Sequence, residues 1–293
     1  MLWKQEKDRG WLLIRDKKST NPQLYVVATP IGNKSDISSR AIEVLSSVDV
    51  IACEDCRTSA SLLEAYDVTT KIVSYHKFNE KQRTQEFLKL IESGQKIALI
   101  SDAGTPCISD PGRVLVKELF ERGVKVTAVP GASAVITFLS MIPREREEFA
   151  FVAFLPRVKG QQSDLFVKYK NIDTVFYESA NRLIDTLQNI SETRGVNTKV
   201  AVGRELTKMF EEVIVGTTFE IIEYYKNNIL KGEIVCAVYA DDNCCEDDVD
   251  ILEHIKKLKT LKYSDKDISR ILSALYDVNK NKVYKLSLAI DSF

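Results

Sequence analysis

Three loops of this 293-residue chain gather small, polar and turn-forming residues where apolar runs stop. In Ile100-Ser101-Asp102-Ala103-Gly104-Thr105-Pro106, followed by Ser109-Asp110-Pro111-Gly112, a carboxylate stands beside two Gly/Pro turns. A carboxylate there accepts hydrogen bonds from a ribose or an amino group, and Gly104 lets backbone approach a ligand. Turns capped by Asp and Ser are the purely structural alternative; two of them within a dozen residues favour a site. Thr29-Pro30-Ile31-Gly32-Asn33 offers another close-approach turn. The chain has no G-x-G-x-x-G at this point, which argues against a dinucleotide site. Val129-Pro130-Gly131-Ala132-Ser133-Ala134 opens a helix with small residues, whose first N–H groups are free for a polar or anionic ligand.

A second set of residues carries charge suited to proton transfer or to holding phosphate. It comprises Glu54, Asp55 and Arg57; Glu178; Arg204, Glu205 and Lys208; and Lys231 with Glu233. A lysine beside a glutamate, if desolvated, stays neutral enough to act as a base. Lys208 and Glu178 are therefore expected near the chemistry, with Arg57 and Arg204 holding phosphate or shaping the site. Arg–Glu pairs at strand ends are as often structural ion pairs. His76, in Ser74-Tyr75-His76-Lys77-Phe78-Asn79-Glu80, is either a substrate contact or a satisfied structural histidine. Cys53-x-x-Cys56 has no second C-x-x-C to complete four soft ligands, and there are only two histidines, so no metal is expected.

The elements that must position these residues alternate. LYVVAT, DVIACE, KIVSYH, KIALIS and KVTAVP read as strands, the first a continuous apolar run of the kind buried on both faces of a parallel sheet. Between them lie helical segments such as SDISSRAIEVLSSV and EKQRTQEFLKLIESG, the latter closed by Gly94. A second unit follows, with FAFVAFL, TVFYES, KVAVGREL and EIVCAVYA as strands. The expectation is two α/β domains with mainly parallel sheets, over 24–134 and 135–242. Residues 1–23 read as a loose extension. An acidic linker, NCCEDDVD, then leads into a helical tail over 243–293. In that tail Ser264 and Asp267 form a capping box, and Ile268, Ile271, Leu272, Leu275 and Tyr276 share one face. A second tail helix carries Val283, Leu286 and Ile290.

Taken in order, TPIGN, Glu54-Asp55-x-Arg57, SDAGTP with DPG, VPG, FLP, FYES, RELTK and KGE resemble the bacterial methyltransferases that act on a cytidine ribose 2′-hydroxyl of small-subunit ribosomal RNA. These enzymes belong to the tetrapyrrole-methylase superfamily. The likeness runs through residues 24–242 and more loosely through the tail. It implies a tetrapyrrole-methylase-like fold, S-adenosylmethionine held between the two domains, a homodimer, and rRNA or the 30S subunit as partner. It also implies cofactor contacts from Ile31, Asp102, Thr105, Ser133, Ala134, Tyr177 and Leu206. Glu54, Arg57, Arg204, Lys208 and Lys231 fall on the RNA side; His76 is outside these motifs and keeps both of its readings. Cys56 stands where relatives carry Thr and Ala153 where they carry Gly, and the segment LSMIPREREEF is shorter than usual.

Lys+Arg 41 against Asp+Glu 42 leaves a net charge of −1, so any RNA footprint must be local. The region 251–293 supplies nine Lys/Arg against five Asp/Glu. It is either an RNA-binding appendage of helix-turn-helix type or a docking element. No apolar run is long enough to span a membrane, and Trp11–Ile14 is too short for a signal sequence, so a cytoplasmic protein is expected. Two rivals stand beside this reading. One is a methylase of tetrapyrroles or of a modified protein residue on the same fold; the other is a non-catalytic ribosome- or RNA-binding module.

Overall fold

The computed structural model describes residues 23–241, 246–276 and 278–290. All of the expected extension over 1–23 except Gln23, and Cys244 and Cys245, lie outside these residues.

The first unit is a five-stranded sheet in which every pairing is parallel. Its strands are β1 (Leu24–Val27), β2 (Val50–Cys53), β3 (Ile72–Ser74), β4 (Ile97–Leu99) and β5 (Val126–Val129), in the order β3-β2-β4-β1-β5. Helices α1 (Ser39–Ser47), α2 (Cys56–Glu64), α3 (Glu80–Glu92) and α4 (Arg113–Glu121) supply the crossovers. They bury Leu45, Leu63, Phe87 and Leu115 against strand residues such as Ile51 and Leu99. Two apolar clusters thus sandwich the sheet, which is why its inner strands read as unbroken apolar runs.

Helix α5 (Ala134–Met141) follows β5 but turns its apolar side to the second sheet, where Val135, Phe138 and Leu139 meet Val175, Ala201 and Val235. The second sheet comprises β6 (Phe149–Phe154), β7 (Asp173–Ser179), β8 (Lys199–Arg204), β9 (Glu212–Thr217) and β10 (Glu233–Val238), in the order β6-β7-β10-β8-β9. Helices α6 (Lys159–Lys168), α7 (Ala180–Arg194) and α8 (Thr218–Asn227) accompany it. Its directions are mixed: β6 and β7 run parallel, while β7–β10, β10–β8 and β8–β9 are antiparallel. Taken over both sheets, parallel pairings still predominate. Strand β9 is an addition to the sequence reading. It forms the sheet edge, partnered on one side only, and so lacks a long apolar run.

The acidic stretch taken as a linker is corrected at its second half. Helix α9 starts at Glu246 and runs to Thr260, followed by α10 (Asp265–Tyr276) and α11 (Lys280–Ile290). The tail therefore has three helices, not two, around Ile251, Ile255, Ile268, Leu272 and Val283. Leu275 and Tyr276 lie outside that core and are exposed. The Asp267 N–H donates to the Ser264 hydroxyl at 3.2 Å, the expected cap at the start of α10. No helix among the described residues is long and apolar enough to cross a membrane.

Candidate active site

Because all strands of the first sheet are parallel, their carboxyl ends share one edge, where loops of an α/β sheet bind ligands. Five loops converge there: those after β1, β2, β3, β4 and β5. The β1 and β4 loops are clamped together. Thr29 and Gly104 exchange backbone hydrogen bonds at 2.9 and 3.0 Å, and the Thr29 hydroxyl donates to the Ser101 carbonyl at 3.0 Å. Thr105 ties the β4 loop to the β5 loop by donating to the Ala132 carbonyl at 3.2 Å. Asp102 accepts from the Asp55 N–H at 3.0 Å, joining the β4 loop to the β2 loop.

The cofactor-side residues form one wall. Ile31, Leu206, Ala132, Ala134 and Tyr177 belong to a single apolar cluster, with Thr105 beside it. Ser133 precedes α5 as its N-cap yet makes no side-chain cap bond. The first N–H groups of that helix therefore have no hydroxyl satisfying them, a donor set suited to a carboxylate or ribose. These loops, the exposed Asp102 carboxylate and the apolar wall fit a ligand that is part adenosine, part amino acid. Asp110, absent from the expected residues, belongs here too: burial raises its carboxyl, helped by Asp102, and its charge reaches Tyr177 on the second sheet. The DPG turn marked it in the sequence, but only folding sets it opposite Tyr177.

Asp102 also lines an open cavity of about 550 Å³, together with Glu54, Asp55, Cys56, Arg57, Ser74, His76 and Phe78. Glu54, Arg57 and His76 are thus brought together in one cavity. The Arg57 guanidinium bonds Asp55 through Nε at 3.2 Å and Nη2 at 2.9 Å, pulling that carboxyl down to about 2. Burial, reinforced by Asp110 and Asp102, pushes Glu54 above the ordinary carboxylate range. The Cys53 and Cys56 thiols lie 3.4 Å apart, and no metal-type cluster occurs among the described residues.

The segment Arg204–Lys208 reaches the first sheet from the second. Glu205 and Thr207 have φ of 51° and 65°, a left-handed conformation strained for both and most of all for a β-branched residue. The strain is held by contacts. Glu205 accepts from the Glu233 N–H at 2.9 Å, and the Thr207 hydroxyl accepts from the Asn33 N–H at 3.1 Å. Two glycines make room: a methyl on Gly32 would sit 2.5 Å from the Lys208 Cγ, and one on Gly232 would sit 2.4 Å from Glu205 Oε1. TPIG, RELTK and KGE therefore form one packed unit. Lys208 Nζ lies 2.9 Å from both Glu205 and Glu233. Partial burial works against its charge, but the two carboxylates outweigh it and hold the ammonium above its usual pKa.

That result corrects the reading of Lys208 as a neutral base: it is a fixed cation. Glu178 is corrected as well. On β7 the side chains alternate, and Tyr177 faces the cleft, so Glu178 faces away. Its side chain, 1% exposed, takes bonds from Thr186, the Ser179 N–H and Arg182 of α7. Arg204, 13% exposed, is spent on Glu212, which two tyrosines also bond, and is not free for phosphate. Lys231 is exposed, its carbonyl 3.5 Å from Arg204 Nη1.

Loops suited to a cofactor and a charged open mouth that meet at Asp102, on a pair of α/β sheets, define a group-transfer enzyme of the methylase class. The chain belongs to the tetrapyrrole (corrin/porphyrin) methylase family, whose model matches residues 23–222. It is 42% identical over 217 residues to the "Ribosomal RNA small subunit methyltransferase I" of Rickettsia prowazekii, covering 73% of this chain and 77% of that protein. It is 39% identical to the protein of that name from Streptococcus pyogenes, covering 92% and 96%. The fold is also that of a Thermus thermophilus uroporphyrin-III C-methyltransferase complexed with S-adenyl homocysteine. The TM-score is 0.52 at 16% identity, with 73% of this chain and 96% of that one covered.

Proposed function

We propose that this chain is an S-adenosylmethionine-dependent methyltransferase that 2′-O-methylates the ribose of a cytidine in small-subunit rRNA, acting on the 30S subunit. The observation that carries this reading is the packed TPIG–RELTK–KGE unit, which sets a fixed cation, Lys208, at the junction of the two sheets. The names of relatives at 42% and 39% identity support the substrate class. The same reading takes the enzyme to be a cytoplasmic homodimer.

Bound S-adenosylmethionine supplies an electrophilic methyl on a sulfonium centre. The chain's residues must present the hydroxyl in line, lower its pKa and receive its proton. Lys208 stabilises the charge that develops on the ribose oxygen. Glu54 is the best placed acceptor in the substrate mouth, because its raised pKa makes it a stronger base than Asp55, which Arg57 holds down. Ile31, Asp102, Thr105, Ser133, Ala134, Tyr177 and Leu206 hold the cofactor, the apolar ones through their backbone and surface.

The test is methyl transfer to 30S subunits from a strain deleted for the gene, followed by mass-spectrometric mapping of ribose methylation. One new 2′-O-methylcytidine is expected. Methylation of a base, a protein or a tetrapyrrole instead would overturn the assignment.

A further inference from the structure

The substrate mouth contains one residue that neither burial nor pairing explains. Phe78 is 95% exposed, the most exposed aromatic side chain among the described residues, yet it lines the cavity with Glu54, Arg57 and His76. Leaving an aromatic face in water forfeits the gain of burying it, so its position asks for a partner that arrives later. It is not a loose loop tip. Asn79 ties the turn down: its Oδ1 accepts from the His76 N–H at 2.9 Å, and its amide donates to the Ser74 carbonyl at 3.3 Å. The His76 ring stands edge-on to Phe78, with centroids 6.1 Å apart at 64°. The other ring nitrogen of His76, Nε2, lies 3.2 Å from the Asn79 amide, so the ring is held within the turn and the Phe78 face beside it is left open for something to cover.

The charges decide what that something is. Glu54, Asp55 and Asp102 surround the mouth, and its one cation, Arg57, is already matched by Asp55. Such a wall repels a phosphate but accepts a flat neutral ring with polar edges. We infer that Phe78 is a stacking platform for an unpaired nucleobase. This rests on the RNA-methylating reading above and names a positioning residue within it. Aromatic stacking on single-stranded bases is sequence-tolerant, so Phe78 contributes affinity and orientation, not the choice of base.

The experiment compares methylation of unmethylated 30S subunits by the parent protein and by Phe78→Ala, Phe78→Leu, Phe78→Tyr and Phe78→Trp. Loss of one stacked base corresponds to a fall in kcat/KM of about 10- to 100-fold. That fall is expected for Ala and for Leu, which keeps apolar bulk but has no π-face, with Tyr and Trp close to the parent. S-adenosylhomocysteine affinity by calorimetry should be the same in all five. A second arm reads the fluorescence of Phe78→Trp, against the parent protein as background, on adding single-stranded oligocytidylate or the same strand with abasic sites. Quenching by the first and not by the second supports stacking. Leu matching Tyr and Trp, or equal quenching by both strands, would overturn it. If the parent protein methylates no RNA, the proposed function fails, and the fluorescence arm alone decides the subsite.

Discussion

The side chain that most changes the chemical picture is Lys208. A lysine acting as neutral base must lose its proton, and two carboxylates at 2.9 Å oppose that loss. With its pKa raised, the charge is present throughout the neutral range and is lost only above the ordinary lysine value. The methylation rate should therefore not climb between about pH 7 and 9 through deprotonation of Lys208. On the acid side an acceptor must be ionised, so the rate should rise as pH passes the raised Glu54 pKa, and Glu54→Gln should remove that limb. Lys208→Ala should lower kcat by about 10²–10³-fold, as removal of one transition-state donor does, with S-adenosylhomocysteine affinity unchanged. Pre-steady-state methyl transfer and calorimetry check the two halves. Equal losses in both would make Lys208 a cofactor or folding residue.

Within single elements, strand β7 separates function from support through its two-residue period. Tyr177 faces the cleft and Glu178 the helix behind it, so Glu178→Ala should act on stability. It leaves Thr186 without its acceptor and Arg182 without its counter-charge, a cost of about 2–3 kcal/mol, moderated because Arg182 is partly exposed. Denaturant unfolding should show that loss, while the specific activity of the folded protein stays near the parent's. Strand β6 carries a different strain. Its register with β7 shifts between Phe151 and Phe154, and Ala153 sits there with φ of 57°. Glycine meets that conformation without the Cβ clash, and its greater flexibility in the unfolded chain offsets part of the gain. Ala153→Gly should stabilise the fold by about 0.5–1 kcal/mol, read as a rise in thermal midpoint. A fall would mean that the Ala153 methyl packs usefully.

For the whole molecule, the question is how a chain of net charge −1 holds a polyanion. The substrate mouth cannot supply the attraction, since its carboxylates outnumber its arginine and Arg204 is tied to Glu212. Cationic side chains on the three-helix tail, such as Lys256, Lys262, Lys266, Arg270 and Lys285, are exposed. Each phosphate they neutralise releases counterions and steepens the salt dependence. Deleting 246–293 should weaken RNA binding and flatten its salt slope, while S-adenosylhomocysteine binding changes by less than about 1 kcal/mol. Filter binding across a salt series checks this. An unchanged slope in a truncated protein that turns monomeric would make the tail a dimerisation element.

At the scale of local pattern, the sequence by itself determined a great deal. Apolar runs marked all five strands of the first sheet, most clearly β2 and β4, which are buried throughout and have no polar positions to blur them. Gly/Pro turns at their ends marked Asp102, the Ile31 turn and Ser133 for the same local reason. The order of motifs from TPIGN to KGE identified the family. What only the tertiary structure decided was anything that depends on the facing partner. Arg204 and Lys208 look alike in a string, yet one meets Glu212 and the other the shared carboxylates of Glu205 and Glu233. Glu178 and Tyr177 are neighbours in the chain and point to opposite sides of a sheet. Strand β9 offers only the short apolar run Val213–Val215 between a glutamate and a glycine, and the significance of Phe78 lies in what it fails to touch. Charge pairing, side-chain facing and exposure are set by residues far away in sequence, and a linear pattern carries no distance between them.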